Sequence, residues 1–296
     1  MSNIPFSLAH RVIVAFLAIL LPLCAVFYIN YRSNKESIQN LVLATLATLA
    51  SEREKNLLFF SEMNKERIKD FSSDGVIRRA MESSGGVFSK ELGEYVLKNK
   101  LPLEPRMSEI ALFSPKGKLV ASTASRPAVR DISGQDFFLK ASGAGAVSEN
   151  AQVFSRPGLV FSSPVMSMDG RKPVGLIVGF LPASLLNSVM TDAHGSDPDE
   201  LVWMNRWETI ETYLVNRDGT MITESRFIKD APFKTKVSTY PVDACINVAR
   251  EIKGFYPDYR GKIVAGASSC LPEYKWTLVA ELDEDEALKD LKDTKL

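Results

Sequence analysis

Residues whose types and spacing suit covalent or redox chemistry are sparse in this chain. Histidine occurs only as His10 and His194, so a Ser-His-Asp triad would have to use His194, and nothing around it reads as a nucleophile elbow or a zinc motif. The cysteines are Cys24, Cys245 and Cys270, and two cysteines without a nearby histidine do not make a zinc site. Asp169-Gly170 and Asp218-Gly219 read as hairpin turns, where Asp-Gly supplies backbone geometry rather than a ligand set. Gly143-x-Gly145 lacks the remainder of a dinucleotide fingerprint. No catalytic residue, metal site or cofactor is expected. What remains is binding. Between about Ser125 and Phe161 the chain gathers Arg126, Arg130, Asp131, Gln135, Asp136, Phe137, Phe138, Phe154 and Arg156, with Phe161 and Ser163 where it turns back into a strand pattern. Aromatic walls with a few convergent polar groups suit a small polar ligand, whereas the plainer reading makes the phenylalanines core and the charges solvated.

Those residues need a scaffold, and the composition allows one. With 296 residues and 45% hydrophobic content the chain can build one large or two modest cores. Thirty-six basic residues balance thirty-six acidic ones, which argues against a nucleic-acid partner. The run Val12–Ile29 holds eighteen residues without a charge, twelve of them Leu, Ile, Val or Phe. As a helix it spans roughly 27 Å at about 1.5 Å per residue, enough to cross most of a bilayer core, and Pro22 is tolerable there. No small-residue cleavage pattern comes after it, and Leu23 before Cys24 is unlike a lipoprotein site, so residues 12–31 are expected to be an uncleaved anchor with residues 1–11 cytoplasmic. Arg11 on one side faces Arg32 and Lys35 on the other, so charge alone does not orient the span.

From Ser33 to about Phe71 there is no proline or glycine, and apolar residues recur at Ile38, Val42, Leu46, Leu49, Leu57, Phe60, Met63, Ile68 and Phe71. Three-and-four spacing predicts one long amphipathic stalk helix over 33–72, suited to packing on the C-terminal remainder of the chain or on its twin in a homodimer. Short helices are expected near Val76–Met81 and Lys90–Lys98. After Pro105 the period becomes strand-like. Ile110–Thr123 and Thr212–Ser225 both read as hairpins and superpose at an offset of 102 residues, matching Leu112 with Leu214 and Gly117 with Gly219. The same offset lays 161–180 on 263–282, matching Leu176, Ile177 and Val178 with Leu278, Val279 and Ala280. These matches predict a duplicated unit of antiparallel strands covered by helix, an α+β arrangement divided at 73–190 and 191–283. Cys245 and Cys270 fall in the second unit, either as a disulfide closing a loop of about 25 residues in an exported domain or as two buried free thiols. Asp283 with Glu286 reads as a capping box opening a helix over 284–296, directed toward a second span that the sequence does not contain.

A long helix after a membrane segment, leading into two tandem PAS-like sheets, resembles the double-Cache sensor domains of bacterial histidine kinases, chemoreceptors and cyclic-di-GMP enzymes. The resemblance is carried by Asp258-Tyr259-Arg260-Gly261, Leu271-Pro272-Glu273-Tyr274, Trp276 and Leu278-Val279-Ala280-Glu281, and at the entry by Arg53–Met81 with Phe71-Ser72-Ser73-Asp74-Gly75. It covers about residues 33–290 and is most like the histidine-kinase versions. It implies a ligand pocket in the membrane-distal first unit, a sensor facing the periplasm, and a signal passed along the stalk helix. Amino-acid-sensing members resemble one another through an Arg, a Trp-Tyr pair and a later Asp; the aligned positions here hold Gln135, Phe137, Phe138 and Val153. The resemblance therefore disfavours an α-amino acid, while the arginines suit a carboxylate. Two rival readings accompany it: a stand-alone interaction or decoy protein pairing with full-length receptors, and a membrane-tethered hydrolase dependent on His194.

Overall fold

The computed structural model describes residues 8–135, 137–138, 146–150, 158–191 and 207–289. The anchor and the stalk form a single helix, α1 (Leu8–Ser72), with Pro22 inside it. Its first part is exposed along its whole circumference, and it is the one helix among the described residues long and apolar enough to cross a membrane. Its second part is one-sided. Val42, Leu46, Leu49, Leu57, Phe60, Ile68 and Phe71 are buried at helical spacing, while Lys55, Glu62 and Lys69 stay wet. The helix stops at Ser72, and Asp74 opens α2 (Gly75–Ser83) by accepting the backbone N–H groups of Val76 at 2.8 Å and Ile77 at 3.1 Å. Helix α3 (Lys90–Asn99) comes next, capped by Ser89.

Two antiparallel sheets complete the fold. The first has the order β2-β1-β5-β4-β3, with β1 Glu109–Phe113, β2 Leu119–Ser122, β3 Ala146–Asn150, β4 Gly158–Met166 and β5 Pro173–Pro182. Helix α4 (Ser184–Thr191) leads away from it. The second has the order β6-β9-β8-β7, with β6 Glu211–Val215, β7 Lys253–Pro257, β8 Ile263–Leu271 and β9 Trp276–Asp283, plus helix α5 (Tyr240–Val248) between β6 and β7. One face of each sheet lies on α1. Ile110, Leu112, Phe161 and Ile177 of the first sheet and Leu214, Ala267, Leu278 and Ala280 of the second belong to one apolar cluster with the buried stripe of that helix. Ser72 Oγ on α1 meets Ser163 Oγ at 3.2 Å, and lower down Lys65 pairs with Glu273 in the β8–β9 turn while its ammonium lies over the Tyr274 ring. A disulfide joins Cys245 on α5 to Cys270 on β8.

The duplication is visible in single hydrogen bonds. In the first hairpin Ser114 N–H donates to Lys118 O at 2.7 Å and Gly117 N–H to Ser114 O at 2.8 Å; 102 residues on, Asn216 N–H donates to Thr220 O and Gly219 N–H to Asn216 O, both at 2.9 Å. Gly117 needs its missing side chain, because φ is +77° and a Cβ would lie 2.6 Å from Ser133 N.

Three details differ from expectation. The offset of 102 does not extend to the later strands. Leu112 pairs with Ile177 and Leu214 with Leu278, so β5 maps onto β9 at 101; Val178 pairs with Ser162 and Val279 with Ser268, so β4 maps onto β8 at 106. Matching Ile177 with Val279 would have put it on the wrong face, since neighbouring residues of a strand point to opposite sides. The hairpin after β6 keeps its turn, but its returning arm holds only isolated bridges, Val215 with Met221 and Thr220 with Lys236. The last helix, α6, spans Glu284–Ala287 and is not closed by a capping box. Asp283 is drawn to Arg260 and Lys262, and the Glu286 carboxylate reaches back to the backbone N–H groups of Glu208 and Thr209. Positions 290–296 of the expected helix lie outside the described residues.

Candidate ligand-binding site

The face of the first sheet turned away from α1 is built by alternation. Ala111 and Phe113 on β1, Leu119 on β2, Val160 on β4 and Leu176, Val178 and Phe180 on β5 make a buried apolar floor, covered by Val129, Ile132 and Phe137 with half-buried Phe138 beside them. The covering segment is pinned to the first hairpin. Leu119 N–H donates to Arg130 O and Ile132 N–H to Gly117 O, both at 2.9 Å, and Lys118 Nζ pairs with Asp131 Oδ2 at 2.5 Å. That lysine, with the Ser133 N–H, holds the Asp131 carboxyl well below the usual carboxylate range.

The expected binding residues divide into three groups. Gln135, Phe137 and Phe138 come together at the start of the covering segment, where Gln135 N–H donates to Ile132 O and Phe138 N–H to Gln135 O. Phe137 is core, only 2% exposed. Arg126 and Arg130 are exposed. Phe161 and Ser163 point the other way, into the contact with α1, because the floor carries Val160 and the alternation places their side chains on the opposite face. Asp136, Val153, Phe154, Arg156 and His194 lie outside the described residues. The polar side chain of β4 on the floor side is Ser162, buried and paired across the sheet with Val178 and Ala146. Sequence reasoning missed it: period-two counting puts it on the face opposite Phe161 and Val165, and only the packing makes that face the floor.

The corresponding face of the second sheet is polar. Tyr213, Val215, Met221, Val237, Val242 and Val279 form a small cluster, and beside it lies a row of acids and phenols. Tyr213 hydroxyl donates to Glu281 Oε2 at 3.1 Å, Tyr259 hydroxyl to Glu211 Oε2 at 2.6 Å, and Arg226 N–H to Glu211 Oε1 at 2.7 Å. Arg260 binds Asp258 and Asp283, each at 2.5 Å. Burial raises the tyrosine hydroxyls of this row, and nearby carboxylates add to it. Among the described residues no group of three His, Cys, Asp or Glu side chains is placed to hold a metal ion. A half-open cleft of about 260 Å³ separates α1 from β7 and β8, with Ser51, Glu54, Glu251, Lys253 and Ser269 among its walls.

No protein-family model and no curated protein matches the sequence. Solved structures do match. The sensor domain of the Vibrio cholerae histidine kinase DctB superposes with a TM-score of 0.60 at 12% identity over 83% of this chain and 98% of that one. The ligand-binding domain of the Pseudomonas aeruginosa amino acid chemoreceptor PctB, in complex with L-Arg, gives 0.57 at 16% over 85% and 92%. That of the Campylobacter jejuni chemoreceptor Tlp3, in complex with L-valine, gives 0.55 at 13% over 86% and 97%. The chain thus has the Cache-type fold of bacterial ligand-binding sensor domains. The expectation that an α-amino acid is disfavoured gains no support from these structures, since two of the three hold amino acids.

Proposed function

We propose that this chain is the ligand-sensing part of a bacterial membrane receptor, a double-Cache module held on the outer side of the cell membrane by the first part of α1. Residues 73–190 form the membrane-distal unit and 191–283 the membrane-proximal one. The observation that carries the reading is the continuity of α1, whose apolar first part leads without a break into a stripe packed on both sheets. Two sheets that share one helix cannot change their closure independently, so a ligand that prefers one closure shifts the population of helix positions at the membrane. The small molecule binds between the floor of the first sheet and the segment from Arg126 to Gln135, with Gln135, Phe138 and Ser162 at its edge and Arg126 supplying charge for a carboxylate. The arrangement binds without turnover. Exposed Leu41 and Phe59 on α1 make that helix the homodimer contact.

The test is thermal melting of the full chain in detergent against amino acids and small carboxylic acids, the former placed first because PctB and Tlp3 hold them. At a ligand concentration one hundred times Kd, stabilisation is about 2.7 kcal/mol, a rise in Tm of several degrees. A Tm that stays flat across the whole set removes ligand sensing in the first unit.

A further inference from the structure

The second sheet contains an arrangement that small-molecule sensing does not use. Glu211 on β6 and Glu281 on β9 stand directly opposite each other across the strands, both on the face turned away from α1 and both buried. Like charges in that position repel. Both oxygens of Glu211 accept hydrogen bonds, from the Tyr259 hydroxyl and the Arg226 N–H. Those of Glu281 do not both do so. Tyr213 serves Oε2, whereas Oε1 is buried without a partner, and so is the hydroxyl of Tyr256. Tyr256 lies over Gly266, the residue paired with Glu281 on β8, where a Cβ would sit 2.0 Å from its hydroxyl oxygen. Its phenol thus occupies the space that a side chain at Gly266 would fill, beside the same carboxyl.

We propose that Glu281 carries a proton in the folded domain, and that losing it sets two carboxylates against each other and loosens the β6–β9 pairing. A single proton removes the repulsion with Glu211 and leaves no charge on the unpartnered, buried Oε1. The surroundings favour retaining it. β6 contributes Glu211 and Tyr213, while β7 and its turn contribute Tyr256, Asp258, Tyr259 and Arg260, the last already bound to Asp258 and Asp283. The titratable groups of α5, Tyr240 and Asp243, are exposed. Among the described residues no cation pairs with Glu281. Burial, first, then the charges of Asp258 and Glu211, push its carboxyl up to about 8 against the Tyr213 hydrogen bond, which favours ionisation. The membrane-proximal unit then reads proton concentration, an input separate from any ligand of the first sheet.

The sign is definite. A carboxyl raised from 4.5 when unfolded to about 8 when folded leaves full stability at low pH and withdraws it as pH rises between those values. The experiment is urea unfolding of the full chain in detergent from pH 5 to 9, comparing wild type with Glu281→Gln, whose amide keeps an acceptor for Tyr213 and carries no charge at any pH. The wild-type unfolding constant should gain up to about tenfold per pH unit between roughly pH 5 and 8 relative to the variant, which lacks that increment. Equal pH dependence in the two proteins overturns the proposal. Should the variant fail to fold, infrared spectra of Glu109→Gln, free of the other carboxyl that burial pushes up, decide. A carboxylic-acid carbonyl band at pH 6 that vanishes by pH 9.5 supports it, and no such band at pH 6 overturns it.

Discussion

The same row of three residues crosses both sheets on the side away from α1, and its chemistry is opposite in the two. In the first sheet it runs Glu109, Phe180, Val160; in the second, Glu211, Glu281, Gly266. Glu109 and Glu211 are equivalent and both lie at the start of a strand, yet they meet a phenylalanine in one sheet and a second acid in the other. On the opposite side the two sheets agree, since Leu112 and Ile177 match Leu214 and Leu278 in kind as well as place. The helix imposes the agreement. One apolar stripe must be satisfied by both sheets, so their inner faces are constrained alike, while each outer face answers only to its own covering segment.

Exchanging the character of the row should have the largest effect. Phe180→Glu places a carboxyl on an apolar floor and directly opposite Glu109, losing the packing of a buried ring and leaving an unpaired charge. We expect at least about 4 kcal/mol of destabilisation by urea titration; a loss below about 1 kcal/mol would mean that the floor is wetter than its packing indicates. The second contrast is the staple, which only the second unit carries among the described residues. Cys245→Ser with Cys270→Ser should cost about 3 kcal/mol, and hydrogen exchange should rise in 240–271 while β1 and β5 keep their protection. Equal loosening of both sheets would show that the two units unfold as one. The smallest change is Tyr259→Phe, which removes a donor from the Glu211 carboxylate. It should cost about 1.5–3 kcal/mol in chemical denaturation, and an unchanged midpoint would mean that water replaces the phenol.

Much of the scaffold was legible because it depends on neighbours in the chain. The charge-free run, the stalk periodicity and the positive-φ glycines at Gly117 and Gly219 are local signals, and they locate α1 and the first turn of each unit. The candidate site was legible only in part. Phe137, Phe138 and Gln135 fall where the pattern suggests, but Phe161 and Ser163 face the helix and Ser162 takes the floor side, because a strand's composition does not say which of its two faces is covered.

By itself, then, the sequence determined the class of the molecule: an apolar helix continued by an amphipathic one, and a duplicated antiparallel unit. Only the tertiary structure decided the registers. Whether β5 maps onto β9 at 101 or 102, and whether Glu211 faces Glu281 across a strand boundary, depends on hydrogen bonds between segments 70 residues apart. A slip of one residue leaves every local propensity unchanged while turning each side chain to the other face.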